Sequence, residues 1–399
     1  MGAKRMTQTQ QSRALVVGLG LTGLSCARHL VKHGYQVSVI HSRTQPPMLE
    51  ALRRELPGVA VHTGAWSERQ FADAGLLVVS PGVPLAEPAL AAAIAHGAVP
   101  LGDVELFARE AKATVSAITG AYGKSTVTSM VGAMCREAGL DTAVGGNIGV
   151  PVLDLLREPE PDVYVLELSS FQLETTVSLN ARAATVLNIT PDHMDRYPSL
   201  AEYAAAKARI FHGDGAMLLN AEDPQVMAMQ LSGRRVRYFG LAAPLGEADY
   251  GIVQRGGEDW LARGERVLMP CSEVPLPGRH NLANALAAMA LAEAVGVPFD
   301  AMRRAIGHYK GLRHRTEHVA ERDGVRWIND SKGTNVGATV AALNGMDSPV
   351  VLIAGGDGKG ADFSELRVPV ERHARAVVLI GRDAPLIERA LGPQVPVKH

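Results

Sequence analysis

The sequence predicts an α/β protein of three domains. These are a Rossmann-like N-terminal domain, a central P-loop ATPase-like domain with a parallel sheet plus a small β-rich part, and a C-terminal Rossmann-like domain. Three observations carry that expectation. Short Val/Ile/Leu-rich runs alternate with Ala-rich helical stretches almost throughout, the mark of βαβ units. Two of those runs feed straight into glycine turns, GLGLTG (18–23) and TGAYGKST (119–126). At 399 residues the chain is long enough for two or three separate cores.

In chain order, residues 1–12 read as a loose tail, and the first domain spans 13–110. It has a strand at ALVVG (14–18), a helix at LTGLSCARHLVKHG and further strands at YQVSVI and GLLVVSPG. The central domain spans 111–311, with strands at 113–118, DVYVLEL and AATVLNI. Residues 240–275 are Gly-rich and acidic with short alternating runs, which predicts a β-rich insertion. The run NLANALAAMALAEAVG predicts a long helix. The last domain, 312–399, has strands at VRWIND, PVVLIAGG and AVVLIG. Three strands with few helices is thin for such a domain, so it is expected to be incomplete.

The formal net charge is −1 with both signs mixed along the chain, which gives no electrostatic case for nucleic acid or an anionic membrane as partner. No apolar run is long enough to span a bilayer, and the N-terminus lacks the apolar stretch of a signal peptide. Cys26, Cys135 and Cys271 are scattered without metal or redox spacing, which suggests reduced thiols in a cytoplasmic protein.

The run AITGAYGKST has an apolar strand before it and a helical pattern, STVTSMVGAMCREAG, after it. Helix N-termini present free N–H groups and the positive dipole end, which suits phosphate. Gly120 and Gly123 let the backbone approach, Lys124 can reach the β- and γ-phosphates, and Ser125 or Thr126 can hold Mg²⁺. Glu167 stands near the carboxyl end of the DVYVLEL strand, where a carboxylate can hold the bridging Mg²⁺. The alternative for Glu167 is a solvent-facing residue at a strand edge. In TVLNITPDHMDRYPSLAEYAAAKARIF, Ser199 and Glu202 form a capping box. By periodicity alone His193 reads as a structural histidine and Lys207 as a solvated helix lysine.

Taken together, these residues give a further reading. TGxxGKSTVT, GGNIG (145–149), LELSSFQLE (166–174), NITPDHMDRY (188–197), YAAAKARI (203–210), GRHNLANALAA (278–288), WINDSKGTN (327–335) and GGDGKGADF (355–363) occur in one order. In order and spacing this series resembles the Mur ligases, the ATP-dependent amide ligases of peptidoglycan synthesis. The resemblance covers nearly the whole chain from residue 13. LELSSFQLE and DHMDRYP most resemble the branch that adds D-glutamate.

The resemblance implies a reaction and its machinery. The L-alanyl carboxylate of UDP-N-acetylmuramoyl-L-alanine would be joined to the amine of D-glutamate. ATP would phosphorylate the carboxylate to an acyl phosphate, which the amine attacks. Such chemistry rests on positioning and charge neutralisation. Lys124 would hold the β/γ-phosphates. Ser125 and Glu167 would serve one Mg²⁺, and His193 with a carbamylated Lys207 a second. Asn281 and Asn284 would sit near adenine, and Arg315, Asp330 and Lys332 would reach the nucleotide. Asn147, Ser169 and Gln172 would face the UDP substrate, and Thr334 and Lys359 would meet the D-glutamate carboxylates. The partners implied are small molecules only, and a monomer is expected.

GLGLTG also fits the dinucleotide fingerprint, but the acid that NAD wants at the end of the second strand is replaced by His41. In the family this turn holds the UDP diphosphate. That puts Gly18, Leu19, Gly20, Thr22 and Gly23 at the phosphates, with Ser80 and Gly82 of SPGVP and Ser42 and Arg43 nearby. Four features depart from the family pattern. Tyr122 replaces an Asn in the phosphate loop and predicts weakened ATP use. His41 replaces a common Asp and predicts weaker UDP-sugar binding. Arg313 stands where Pro is more usual. The pattern continues past His399 by about one strand–loop–helix unit, with a Ser- and Phe-containing segment that grips D-glutamate. Competing readings are a diaminopimelate-, lysine- or folate-type ligase of the superfamily, a nucleotide- or UDP-sugar-binding protein without catalysis, and an NAD(P)-linked oxidoreductase.

Overall fold

Five short strands, each followed by a helix, make the first sheet. They are β1 (Arg13–Val17), β2 (Gln36–His41), β3 (Ala60–Thr63), β4 (Leu76–Val79) and β5 (Pro100–Leu101), in the order β3-β2-β1-β4-β5. All pairings are parallel. The computed structural model describes residues 13–72, 74–346, 348–358 and 360–399. The expected tail at 1–12 and the expected carboxylate contact Lys359 lie outside the described residues. β1 is buried from Ala14 to Val17 because helices cover both faces of a parallel sheet. Leu15, Val17, Ile40, Leu77, Val79 and Leu90 form part of its core. The helix Leu21–Lys32 begins inside GLGLTG, with Gly20 as its N-cap.

The chain divides into two compact units. One comprises the described residues up to Ala111 together with Gly149–Glu158 and Phe171–Leu179. The other comprises Lys112–Ile148, Pro159–Ser170 and the described residues from Asn180 to His399.

The second unit is built on nine strands. These are β6 (Thr114–Thr119), β7 (Thr142–Gly146), β8 (Val163–Glu167), β9 (Ala183–Val186), β10 (Ala216–Asn220), β11 (Val236–Phe239), β12 (Tyr250–Arg255), β13 (Glu258–Arg263) and β14 (Arg266–Pro270). Their order is β14-β13-β12-β11-β10-β9-β6-β8-β7. The chain reverses its direction of travel around β6, so the loop after β6 lies between the ends of β8 and β9, the position where open α/β sheets bind ligands. The residues around 240–275 are β-rich as expected, but they are not a separate insertion. β12 pairs with β11 through Phe239 and Tyr250, and the antiparallel β12–β14 extend the same sheet. Glu293 ties this extension to the helix Arg279–Ala294, since Arg237, Arg263 and the Tyr250 hydroxyl all donate to it. That helix carries alanines, leucines and a methionine on every side, and residues 285–292 are all buried. It packs on the helix Lys124–Glu137, so the phosphate-loop helix has a rigid backing.

The same unit holds a third core around Val336, Leu343, Leu366, Val370, Val377 and Leu379. β15 (Glu317–Arg322) and β16 (Val325–Asn329) form a hairpin, and β17 (Val350–Gly355), β18 (Ala374–Ile380) and β19 (Val397–Lys398) form a parallel sheet. The expectation of few helices here was wrong. Helices occupy Val336–Asn344, Arg367–His373 and Ala384–Leu391. Pro369 and Pro385 disguise two of them, yet each falls in the first turn, where proline is tolerated. Among the described residues no helix is long and apolar enough to cross a membrane. The three cysteines are free thiols.

Candidate functional site

The loop after β6 reaches the helix Lys124–Glu137 through two glycines. Gly123 is the N-cap at φ +80, and a Cβ there would lie 2.7 Å from Asn284 Oδ1. Only glycine meets both conditions. No side chain caps this helix, so its first N–H groups remain available to phosphate. The loop is held from behind by Asn188, just after β9. Its Oδ1 accepts from the N–H groups of Ala121 and Tyr122, both at 2.9 Å, and its Nδ2 donates to Tyr122 O at 3.1 Å. Tyr122 therefore leaves the backbone cradle intact. Asn188→Ala strands the half-buried Tyr122 amide. We expect a loss of about 1–3 kcal/mol with a lower melting temperature, and a raised KM for ATP. A variant with unchanged melting curve and nucleotide titration would show that the clamp is idle.

Lys124 Nζ donates to Gly120 O at 2.8 Å and Ala121 O at 3.0 Å. Lys207 Nζ donates to the same Gly120 carbonyl at 2.9 Å and faces Thr119 Oγ1 at 3.3 Å. Lys207 is not the solvated helix lysine of the periodicity reading, since only 2 % of it is exposed. It lies on the helix Leu200–Ala208, whose N-cap Ser199 accepts from the Glu202 N–H, one half of the expected capping box. Burial pulls both ammonium groups below the ordinary lysine value. For Lys207 the pull is strong and Lys124 adds to it, while Asp192 and Glu167 oppose it.

Glu167 ends β8, an interior strand, and is buried, so the solvent-facing alternative does not hold. Asn147 grips it twice. The Asn147 N–H donates to Glu167 O, and Nδ2 donates to Oε1, each at 2.8 Å. The preceding Gly146 sits at φ +107, and a Cβ there would meet Glu167 O at 2.3 Å. Glu167 Oε2 is buried and has no hydrogen-bond partner. A desolvated, unpaired carboxylate oxygen beside a phosphate loop fits a bound cation. The residues present therefore fit Mg²⁺, which Glu167 Oε2 could hold. Ser125 Oγ, the other expected ligand, accepts a 2.7 Å bond from Arg315 Nη2. His193 lies in the loop after β9 at φ +57. Its N–H donates to Asp192 Oδ1 at 3.0 Å, and its Nε2 stands 3.7 Å from Asp192 Oδ2.

Arg315 thus reaches Ser125 of the phosphate loop. Asp330 accepts from Thr316 N–H at 2.9 Å, and burial raises its carboxyl above the ordinary value. Lys332 and Thr334 are exposed. Asn335, which the sequence reading passed over, caps the helix Val336–Asn344 and donates to Asp192 Oδ2 at 3.1 Å. Asn281 is buried against Pro277 O and accepts from Asn284 at 3.1 Å. Asn284 lines a cavity of about 300 Å³ together with Tyr122, Asn188, Asn220, Phe239 and His280. Burial pushes the His280 imidazole down to about 4, so it is neutral near pH 7.

In the first unit, Gly18 at φ +97 and Gly23 make the tight turn. A Cβ at Gly23 would fall 2.1 Å from Gly18 O. Ser80 Oγ donates to Gly18 O at 3.1 Å. Leu19 is a core residue and offers only its backbone, while Gly20 is the uncapped N-cap of the helix Leu21–Lys32. Thr22 is half-buried, and Ser42, Arg43 and Gly82 are exposed. His41 Nδ1 accepts from the Leu19 N–H at 3.0 Å, which leaves the proton on Nε2, buried and without a partner. An acidic residue could accept that bond but could not offer the donor. Gln172 is buried and donates to Asp103 Oδ2 at 2.9 Å, where burial pushes the Asp103 carboxyl up to about 6. Ser169, in the second unit, is half-buried at the end of β8.

Comparison with known proteins agrees with this geometry. Residues 12–102 match a family model described as Mur ligase MurD-like, N-terminal domain. Residues 118–292 match the Mur ligase middle domain, and 314–399 the Mur ligase, glutamate ligase domain. The chain is similar to the UDP-N-acetylmuramoylalanine--D-glutamate ligase of Methylobacillus flagellatus, at 55% identity over 97% of this chain and 85% of that protein. Its likeness to the enzyme of the same name from Thiobacillus denitrificans is 54%, over 96% and 85%. Among solved structures, MurF of Acinetobacter baumannii aligns with a TM-score of 0.61 at 18% identity, over 99% of this chain and 86% of that one. A pseudomurein peptide ligase type C of Methanothermus fervidus aligns at 0.59 and 18%, over 97% and 88%.

Proposed function

The chain belongs to the Mur ligase family, and from that premise we propose that it joins D-glutamate to UDP-N-acetylmuramoyl-L-alanine at the expense of ATP. The observation that carries the reading is the buried Glu167 oxygen without a partner, set among Lys124, Lys207 and Arg315 at the phosphate loop. Relatives more than half identical over nearly the whole chain carry that activity in their names.

A carboxylate is a poor acyl donor, and phosphorylation gives it a good leaving group. The Lys124 ammonium and the uncapped helix N-terminus receive the phosphates, and Arg315 is within reach of the transferring group. Bound Mg²⁺ supplies charge neutralisation between nucleotide and substrate, with Glu167 and Ser125 to hold it. We read Lys207 as carbamylated, since burial disfavours its ammonium form, the free amine adds CO₂ with release of a proton to solvent, and a carbamate would present oxygens to a second ion alongside His193. The cavity lined by Tyr122 and Asn284 suits adenine, and the GLGLTG turn suits a diphosphate. Domain limits of 13–110, 111–311 and 312–399, a monomeric state and a cytoplasmic location complete the reading.

The test is phosphate release from ATP and Mg²⁺ in the presence of UDP-N-acetylmuramoyl-L-alanine, with and without D-glutamate. Release that needs both substrates, with a new amide by mass spectrometry, is the expected result. Phosphate release indifferent to D-glutamate, or none with the UDP substrate bound, would overturn it. The Tyr122 ring takes up space in the adenine cavity, so Tyr122→Asn is expected to lower the KM for ATP about threefold or more with kcat little changed, within the range of a single packing contact. An equal or higher KM would mean that the phenol does not crowd the base.

A further inference from the structure

Among the described residues, the one group of three His, Cys, Asp or Glu side chains with ligand atoms all within 4.8 Å of one another includes no residue of the phosphate loop. It is His29, His33 and Glu110, all in the first unit. We propose that these three side chains bind a single d-block divalent cation of the zinc type.

The helix Leu21–Lys32 places His29 and His33 four residues apart, hence on one face, with ring centroids 4.3 Å apart. Glu110 closes the helix Asp103–Glu110 and points its Oε1 at both rings, 2.9 Å from His29 Nε2 and 3.3 Å from His33 Nε2. Ligand bonds of about 2.0–2.1 Å in a tetrahedron set neighbouring ligand atoms roughly 3.3 Å apart. The observed separations fall close to that spacing.

A second observation points to a ligand. His33 Nδ1 lies 2.7 Å from the His29 carbonyl oxygen, which can only accept. His33 therefore carries its proton on Nδ1, and in the neutral ring the Nε2 lone pair faces the Glu110 oxygen. Two lone pairs 3.3 Å apart repel unless a positive centre, a proton or a metal cation, lies between them. A ring nitrogen bonded to a backbone carbonyl, with the other aimed at a carboxylate, is the arrangement in which imidazoles bind metals. The cluster also lies at the C-terminal ends of both helices, where the dipoles favour a cation. Two imidazoles and one carboxylate prefer Zn²⁺ or Co²⁺ to Mg²⁺, and the exposed sides of His33 and Glu110 leave a fourth position for water.

The experiment titrates the full chain with Zn²⁺ by calorimetry in excess Mg²⁺, which occupies the phosphate-loop site, and repeats it with Co²⁺ in the visible range. His33→Gln and Glu110→Gln are compared with the parent. Both positions are partly exposed, and melting curves check that each variant folds. The parent should bind one more Zn²⁺ than either variant, or bind it more than roughly tenfold tighter. Its Co²⁺ complex should show tetrahedral absorption that both variants lack. Identical isotherms and spectra for the three proteins would overturn the proposal, and so would a parent that binds no Zn²⁺. Neither readout depends on ligase activity.

Discussion

Lys207→Met lowers turnover about a thousandfold and at the same time raises the melting temperature. The two effects have one cause. Lys207 is sealed beneath Gly120 and Tyr203, and burial drives its ammonium well below the ordinary value. Between its lowered folded value and the unfolded value near 10.5, the unfolded chain binds a proton at this lysine that the folded chain does not hold. The parent's stability therefore rises with pH from the lowered folded value up to the unfolded value near 10.5, where the difference ends. Methionine fills similar space without a proton to lose, so the variant is more stable near neutrality and lacks that contribution to the slope. Thermal melts of both proteins from pH 6 to 9 read the difference directly. If the two slopes match, the lysine is not held neutral. The chemical half has its own test, because ¹³CO₂ should give a carbamate carbon resonance in the parent that the variant lacks. Full activity in a parent without that resonance would remove the carbamate from the mechanism.

Glu167→Gln is the second large effect, with turnover expected to fall by about 10²–10³. The amide keeps the shape, and its oxygen can still accept from Asn147, so the fold is retained. It removes the charge at Oε2, the atom with no protein partner. The Mg²⁺ concentration needed for half-maximal rate should rise, and the melting temperature should fall, since the buried Lys124 and Lys207 lose the carboxylate that favours their charged forms. An unchanged Mg²⁺ dependence would move the metal elsewhere.

Much of this site was legible in the sequence, because its chemistry sits in short runs whose local form is forced. Strand, glycine turn and helix around Lys124 follow from residue type and spacing, and so does the GLGLTG turn. Glu167 was readable as a strand-end carboxylate, but its burial was not, since that depends on β8 lying between β6 and β7. The clamp by Asn188, the reach of Asn335 to Asp192 and the bond from Arg315 to Ser125 join residues 66 to 190 positions apart. Periodicity carries no information about such pairs. His41 shows the same limit. Its replacement of an acid was visible, while its use of Nδ1 to hold the Leu19 amide needed the fold. In the last domain two of the helices that the sequence reading missed carry a proline in the first turn, where it is tolerated.

Gly146 carries a consequence at the level of the gene. It holds the main chain so close to the Glu167 carbonyl that a single added carbon would collide with it, in a backbone conformation that disfavours any side chain. Every amino-acid-changing single-base substitution in a glycine codon introduces a Cβ or a stop. The codon for Gly146 can therefore drift only at its third base, and a saturation screen should find it silent there and blank everywhere else.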